Sequence, residues 1–295
     1  MNHLMRAIAP LTEGEWKAVD EEAKQTLKLN LAARRLVDFS GPHGWQASSI
    51  NLGRVDRTDH DLRPGVETRR RRVQTLIELR APFELSRQEL DIIARGGRDP
   101  DLRPVTEAAR TIAIAENQAV FNGFEAGHIT GIFDAARQSA LHLTDDYVHY
   151  PEVVAEALGK LRNLGIVGPY GIVLGPRCYI GLTETTTGGG YRIYDHVKRL
   201  LNGPVVWTPG IDGAIVVSMR GGDFELTVGE DFSIGYLSHT TETVRLYLQE
   251  SITFRVLTAE AAIPLRYRKT KAELAPPVRD DTSRGESKGR PSRRN

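Results

Sequence analysis

Residues 218–236 read SMRGGDFELTVGEDFSIGY. Within them FELTV alternates apolar and polar side chains, which predicts a strand with one face buried. A Gly-Glu-Asp turn at 229–231 separates that strand from a second hydrophobic segment, FSIGY. The stretch holds no nucleophile beside a base and no set of metal ligands, so it predicts architecture rather than chemistry. Downstream, in VRLYLQESITFRV, the residues Val244, Leu246, Leu248, Ile252, Phe254 and Val256 share one parity. That is a long two-faced strand with Glu250 as its one polar interruption.

Upstream, Ile77, Leu79, Ala81, Phe83 and Leu85 alternate with mainly polar neighbours and predict another half-buried strand. It follows RRRR at 69–72; because adjacent strand residues face opposite ways and aspartates stand at 56, 59 and 61, these arginines read as solvated or intersubunit ion-pair partners. Residues 41–65 are rich in turn formers with short apolar groups and predict an extended arm. Near the start, Thr12 and Glu15 match a capping box, and Trp16, Val19, Ala23, Leu27 and Leu31 recur at helical spacing. Residues 104–123 predict a longer helix, with Pro104 in its first turn and Val105, Ala108, Ala109, Ile112, Ala119 and Val120 on its apolar face. Glu116 falls near that face and therefore needs a partner.

Beyond Thr130 the texture turns α/β. A helix opens at Pro151, strands are predicted at YGIVL, PVVW and GAIVVSM, and a second helix at YDHVKRLL. TETTTGGGY, 183–191, predicts an exposed loop. Past Leu265 the chain is charged and rich in Pro, Ser and Gly, a disordered tail by composition.

The chain has 295 residues and a formal charge of +1, unevenly spread. Residues 266–295 carry ten Arg/Lys against four Asp/Glu, a charge of +6, so residues 1–265 stand at −5 and give no general nucleic-acid footprint. One cysteine, Cys178, excludes an intrachain disulfide and reads as a buried thiol. No apolar run is long enough to span a membrane and no signal peptide is evident, so the expected setting is the cytoplasm. Metalloprotease, nucleophile-elbow, phosphate-loop and dinucleotide patterns are missing. His142, Asp145, Asp146 and His149 are the densest polar group, and helix capping ahead of Pro151 explains them without a metal. Arg34 and Asp38, four apart, would pair on an extended first helix. No catalytic residue, cofactor site or metal site is predicted.

Seven segments occur together in order: IAPLTEGEWKAVDEEA (8–23), AARRLVDFSGPHGW (32–45), IELRAPFELSRQELDIIARG (77–96), AENQAVFNGFEAGHITGI (115–132), GPYGIVLG (168–175), the opening stretch, and VRLYLQESITFRVL (244–257). In this combination the chain resembles the family 1 encapsulins, bacterial and archaeal nanocompartment shell proteins with the fold of the HK97-type phage major capsid protein. The resemblance implies an α+β fold with P-domain, A-domain and E-loop. Residues 1–45 would be a lumen-facing helix and arm, 46–75 the E-loop, 76–130 and 222–265 the P-domain with its spine helix, 131–221 the A-domain, and 266–295 a basic tail outside the shell.

The same resemblance implies a homo-oligomer of about sixty subunits that encloses a cargo protein through its C-terminal targeting peptide. A dye-decolorising peroxidase is the first expectation and a ferritin-like protein the next. Arg34, Asp38, Phe39, Asp231 and Ile234 would line the cargo-peptide groove. Glu184, Thr185, Thr186, Thr187, Gly188, Gly189 and Gly190 would line a fivefold pore, where a ring of Glu184 side chains favours cations. Some relatives bind a flavin through a tryptophan in the segment matching SRQELD, where this chain has Gln88, so no cofactor is expected. A prophage major capsid protein and an enzyme with proteolytic activity are the competing readings; membrane and nucleic acid are not expected partners.

Overall fold

The computed structural model describes residues 3–267. Helix α1, Glu13–Asn30, starts on the predicted capping box: the Thr12 hydroxyl accepts from the Glu15 N–H at 3.3 Å, and the Glu15 carboxylate accepts from the Thr12 N–H at 2.5 Å. Trp16, Val19, Ala23 and Leu27 are buried along it. After a 3-10 turn at Ala33–Arg35 comes the short strand β1, Asp38–Ser40. Strands β2, Ser49–Arg57, and β3, Arg69–Thr75, pair among the described residues only with each other and form a mostly exposed antiparallel arm. In β4, Ile77–Ser86, the odd-numbered side chains turn inward, as the alternation predicts. Helix α2, Arg87–Ala94, is followed by the spine helix α3, Arg103–Phe121, which buries Glu116 and Asn117 among its apolar residues.

The chain then forms a two-strand turn, β5, Gly123–Phe124, with β6, Ile129–Thr130, and the one-turn helix α4, Ile132–Ala135. It continues through β7, Leu141–Leu143; α5, Tyr150–Asn163; β8, Tyr170–Leu174; α6, Pro176–Glu184; α7, Ile193–Leu201; β9, Val205–Trp207; and β10, Ala214–Ser218. Four strands complete it: β11, Phe224–Val228; β12, Ser233–His239; β13, Thr243–Val256; and β14, Ala262–Tyr267.

Two five-stranded sheets result. In the first, β13 is the central strand, with β4 along one edge, β11 and β12 end to end along the other, and β1 parallel to β11. Helix α3 packs against β4 and β13, and α1 packs on α3. The second sheet runs β7-β14-β10-β8-β9, and every residue of β8 and β10 is buried.

Three local expectations change. The Gly-Glu-Asp segment does not reverse the chain. Val228 opposes Ile252 and Ser233 opposes Gln249, so five steps face three, and two extra residues bulge outward while the strand continues. A Cβ at Gly229 would stand 2.5 Å from the Ser251 Oγ and 2.8 Å from the Leu76 Cδ2, which explains glycine at the start of the bulge. Residues 262–265, expected beside the P-domain strands, instead belong to β14 and lie between β7 and β10, because Ala262, Ile263 and Leu265 are fully buried there. Thr183 and Glu184 close helix α6, so the irregular loop begins at Thr185. It is a tight turn in which the Thr187 N–H donates to the Tyr191 carbonyl and the Gly190 N–H to the Thr187 carbonyl, both at 2.8 Å. The basic tail expected over 266–295 lies, from residue 268 onward, outside the described residues.

Candidate functional site

Where α1 ends, one buried side chain sets the path of the backbone. Asn117 of α3 accepts from the Ala32 and Ala33 N–H groups at 3.0 and 2.9 Å and donates to the Asn30 carbonyl at 2.7 Å. It thereby satisfies backbone groups left open at the helix end and in the turn behind it. The turn aims Arg34 inward. Its Nε donates to the Glu116 Oε2 at 2.7 Å, and its two terminal nitrogens donate to the Asp231 Oδ1 and the Glu250 Oε2, each at 2.9 Å. The guanidinium carbon also stands 5.0 Å from the Phe39 ring centroid and 4.7 Å from that of Phe232.

Burial disfavours charge on Arg34, and the opposing carboxylates, Glu116 foremost, outweigh it and hold the guanidinium above its ordinary range. Burial pushes the Glu116 carboxyl up while Arg34 pulls it back. Glu250 is pushed well up, first by burial and then by the neighbouring Glu116.

Of the five residues expected at a groove, Arg34, Phe39 and Asp231 meet here, and Ile234 lies just beyond on β12. Asp38 does not join them: its Oδ2 accepts from the Gly222 N–H at 2.6 Å, on the side toward Ser218 and Met219. The expected Arg34–Asp38 pair is not made, because α1 stops at Asn30 and Asp38 opens a strand, so the two no longer share a helical face.

Between α1 and β12 runs a groove of about 470 Å³. Its apolar floor is Ala23, Leu27, Leu31, Ile234 and Leu248, and Lys24 and Lys28 stand on one rim with Arg34 and Asp231 at one side. The segment before α1 completes the wall. Leu4 and Arg6 line it, the Leu4 carbonyl accepts from the Tyr236 N–H at 2.9 Å, and Arg6 grips Asp20 at 3.0 and 2.6 Å. His3 stacks on Trp45 with centroids 4.0 Å apart and reaches the Glu230 Oε1 at 2.6 Å. Sequence reasoning missed these wall residues; the lysines at 24 and 28, one turn apart, were the available signal for the rim.

The predicted pore residues lie elsewhere, at the end of α6 and in the following turn: Glu184 and Gly188 to Gly190 are exposed, and Thr185 to Thr187 are exposed or half-buried. Among the described residues no group of three or more His, Cys, Asp and Glu could hold a metal. Asp146 caps the turn before α5 by accepting from the Val148 N–H at 3.2 Å, and Asp145 pairs with Arg177. Cys178 is buried, with Sγ 3.2 Å from the Tyr267 hydroxyl, and burial pushes its thiol pKa up. Gln88 is exposed near the start of α2. Among the described residues no helix is long and apolar enough to cross a membrane.

A family model described as "Encapsulating protein for peroxidase" matches residues 1–253. The type 1 encapsulin shell protein of Rhodospirillum rubrum is 54% identical over 271 residues, covering 90% of this chain and 97% of that one. The type 1 encapsulin shell protein of Mycobacterium tuberculosis is 43% identical over 267 residues, covering 90% and 100%. Among solved structures, the virus-like particle of Pyrococcus furiosus superposes with a TM-score of 0.59 at 17% identity, over 85% of this chain and 99% of that one. The capsid of the myovirus XM1 gives 0.52 at 10% identity, over 81% and 92%. These two likenesses show the HK97-like capsid fold and no more than the fold.

Proposed function

The chain belongs to the type 1 encapsulin shell proteins, and on that premise we propose that about sixty copies close into an icosahedral shell around a peroxidase of the dye-decolorising class. It is a structural shell protein rather than an enzyme. The observation that carries the proposal is the 54% identity to the Rhodospirillum rubrum shell protein across nine-tenths of the chain. Likeness to the phage capsid, at 10% identity, extends to the fold alone and gives the prophage reading no comparable support. The peroxidase cargo follows the wording of the matching family's description, with a ferritin-like protein as the second candidate.

In this reading the groove between α1 and β12 takes the cargo's C-terminal targeting peptide. Alternate apolar side chains of an extended peptide fit the floor of Leu27, Leu31 and Ile234, while Lys24 and Lys28 attract acidic groups on the peptide. Arg34 contributes position: its nitrogens are committed to the chain's own carboxylates, so it shapes the wall with Phe39 and Phe232. At the fivefold axis, the α6 ends would present a ring of Glu184 above turns of Thr185 to Gly190, an opening that favours cations. The shell is the expected nanocompartment, assembled in the cytoplasm.

Ser233 lines the groove and is half-buried, so Ser233→Trp fills the groove without opening the core. With a peroxidase carrying its C-terminal extension co-expressed, the variant is expected to give intact particles that lack cargo. Cargo retained at the wild-type ratio would remove the groove from the account.

A further inference from the structure

Arg34 brings one positive charge to three carboxyl groups, and two of them, on Glu116 and Glu250, have 0% exposure. Both turn Oε2 toward the guanidinium, and each leaves Oε1 buried with no N–H or O–H donor from another group. The two carboxyls thus meet on one guanidinium, 2.7 and 2.9 Å from its nitrogens. Ionised carboxylates only accept, so each buried Oε1 lacks a donor while its carboxyl is charged.

Charge counting calls for a proton on the pair. With all three carboxyls ionised, the cluster would hold two uncompensated negative charges, at least one of them fully buried, which is costly. One proton on the buried pair leaves Arg34 neutralised by a single buried carboxylate. The remaining charge then sits on Asp231, whose side chain is 42% exposed. Arg34 is the cation in contact with the pair, and Asp231 is the third carboxylate on that guanidinium. From α3 the neighbouring Asn117 is occupied by the α1 turn, and from the bulge Glu230 is held by Gln249 and His3. From β4, Leu79 stands opposite Glu250, while Glu78 and Arg80 pair with each other.

We propose that Glu116 and Glu250 hold one proton between them at neutral pH, and that losing it on alkalisation weakens the fold around Arg34. Glu116 sits on the spine helix and Glu250 on the central strand, both regular and packed. The inference concerns the chain's own carboxyls and holds whatever occupies the groove.

The direction of the pH dependence follows from the folded chain keeping a proton that the unfolded chain loses near the ordinary value of 4.5. The stabilisation is fully present below that value and is lost as pH rises toward the folded group's own, higher titration. Across that window the unfolding constant of the wild type rises about tenfold per pH unit relative to a variant without the titrating group.

Infrared spectroscopy of the full chain in heavy water at neutral pH tests this through the carbonyl stretch of a protonated carboxyl. The expected result is a band in the wild type that is lost in Glu250→Gln, and lost in Glu116→Gln because Arg34 then has Glu250 to ionise against it. Urea unfolding at stepwise higher pH is expected to separate wild type from Glu250→Gln by the slope above. Absence of the band at neutral pH overturns the proposal, as does a band unchanged in either variant. If neither variant folds, the wild-type titration decides: a band surviving to neutral pH supports the shared proton, and one gone by about pH 5, as for an exposed carboxyl, refutes it.

Discussion

Arg34 and the arginines at 69–72 are the same residue type in two regions governed by opposite rules. Arg34 is enclosed by three carboxyls and two aromatic rings, all from its own chain. Arg69 to Arg72 lie exposed on β3, where Arg69 and Arg72 make surface pairs with Glu67 and Asp56 that add little stability. The arm around them also exposes Val55, Leu62, Val66 and Val73, with Leu62 90% exposed, and over 49–75 it carries seven arginines against four acidic residues. The region around β13 meets its buried cation with carboxyls of the same chain. The arm leaves both apolar and charged groups open, a surface that neighbouring copies in a shell would cover.

The largest expected effect comes from breaking the open region. Asn51 and Val73 are cross-strand partners, so residues 52–72 can be replaced by Asn-Gly while the base of the hairpin is kept. Light scattering is expected to show loss of closed particles while a cooperative thermal transition survives; particles of unchanged size would break the comparison. Next comes the enclosed region. Arg34→Ala leaves Glu116 and Glu250 without their cation and is expected to cost about 3–5 kcal/mol in urea unfolding followed by tryptophan fluorescence. Asn117→Ala leaves backbone groups at Ala32, Ala33 and Asn30 unpaired and should cost about 2 kcal/mol or more in the same assay. Thr12→Ala removes the cap of α1 at about 1 kcal/mol, the smallest of the series. A reversed order between Arg34→Ala and Thr12→Ala would show that the buried cluster is not the anchor of this region.

Local signals made much of this legible. The capping box at Thr12, the alternation of 77–85 and the parity of 244–256 are short-range patterns, and each appears as an element where it was predicted. The cluster was half visible. Glu116 on an apolar helix face and Glu250 on an apolar strand face both stood out as polar interruptions, but their common counter-charge lies 82 and 216 residues away in the chain. Two such interruptions in one sequence are a reason to look for one buried cation between them. The bulge at 229–232 escaped notice because glycine beside acidic residues reads equally as a reverse turn, and only pairing with β13 distinguishes the two. The placement of β14 was hidden for a similar reason: a short apolar strand carries no mark of which sheet it joins. In the groove, the apolar stripe of α1 was readable, whereas the wall formed by Leu4 and Arg6 depends on a hydrogen bond to Tyr236 over 200 residues away.

The measurement closest to the central claim is the mass of the purified chain, expressed without partners, by multi-angle light scattering, with negative-stain images of the same peak. A closed particle of about sixty chains, in the megadalton range, is the predicted result. A stable monomer or small ring across the range of salt and pH tried would contradict the shell.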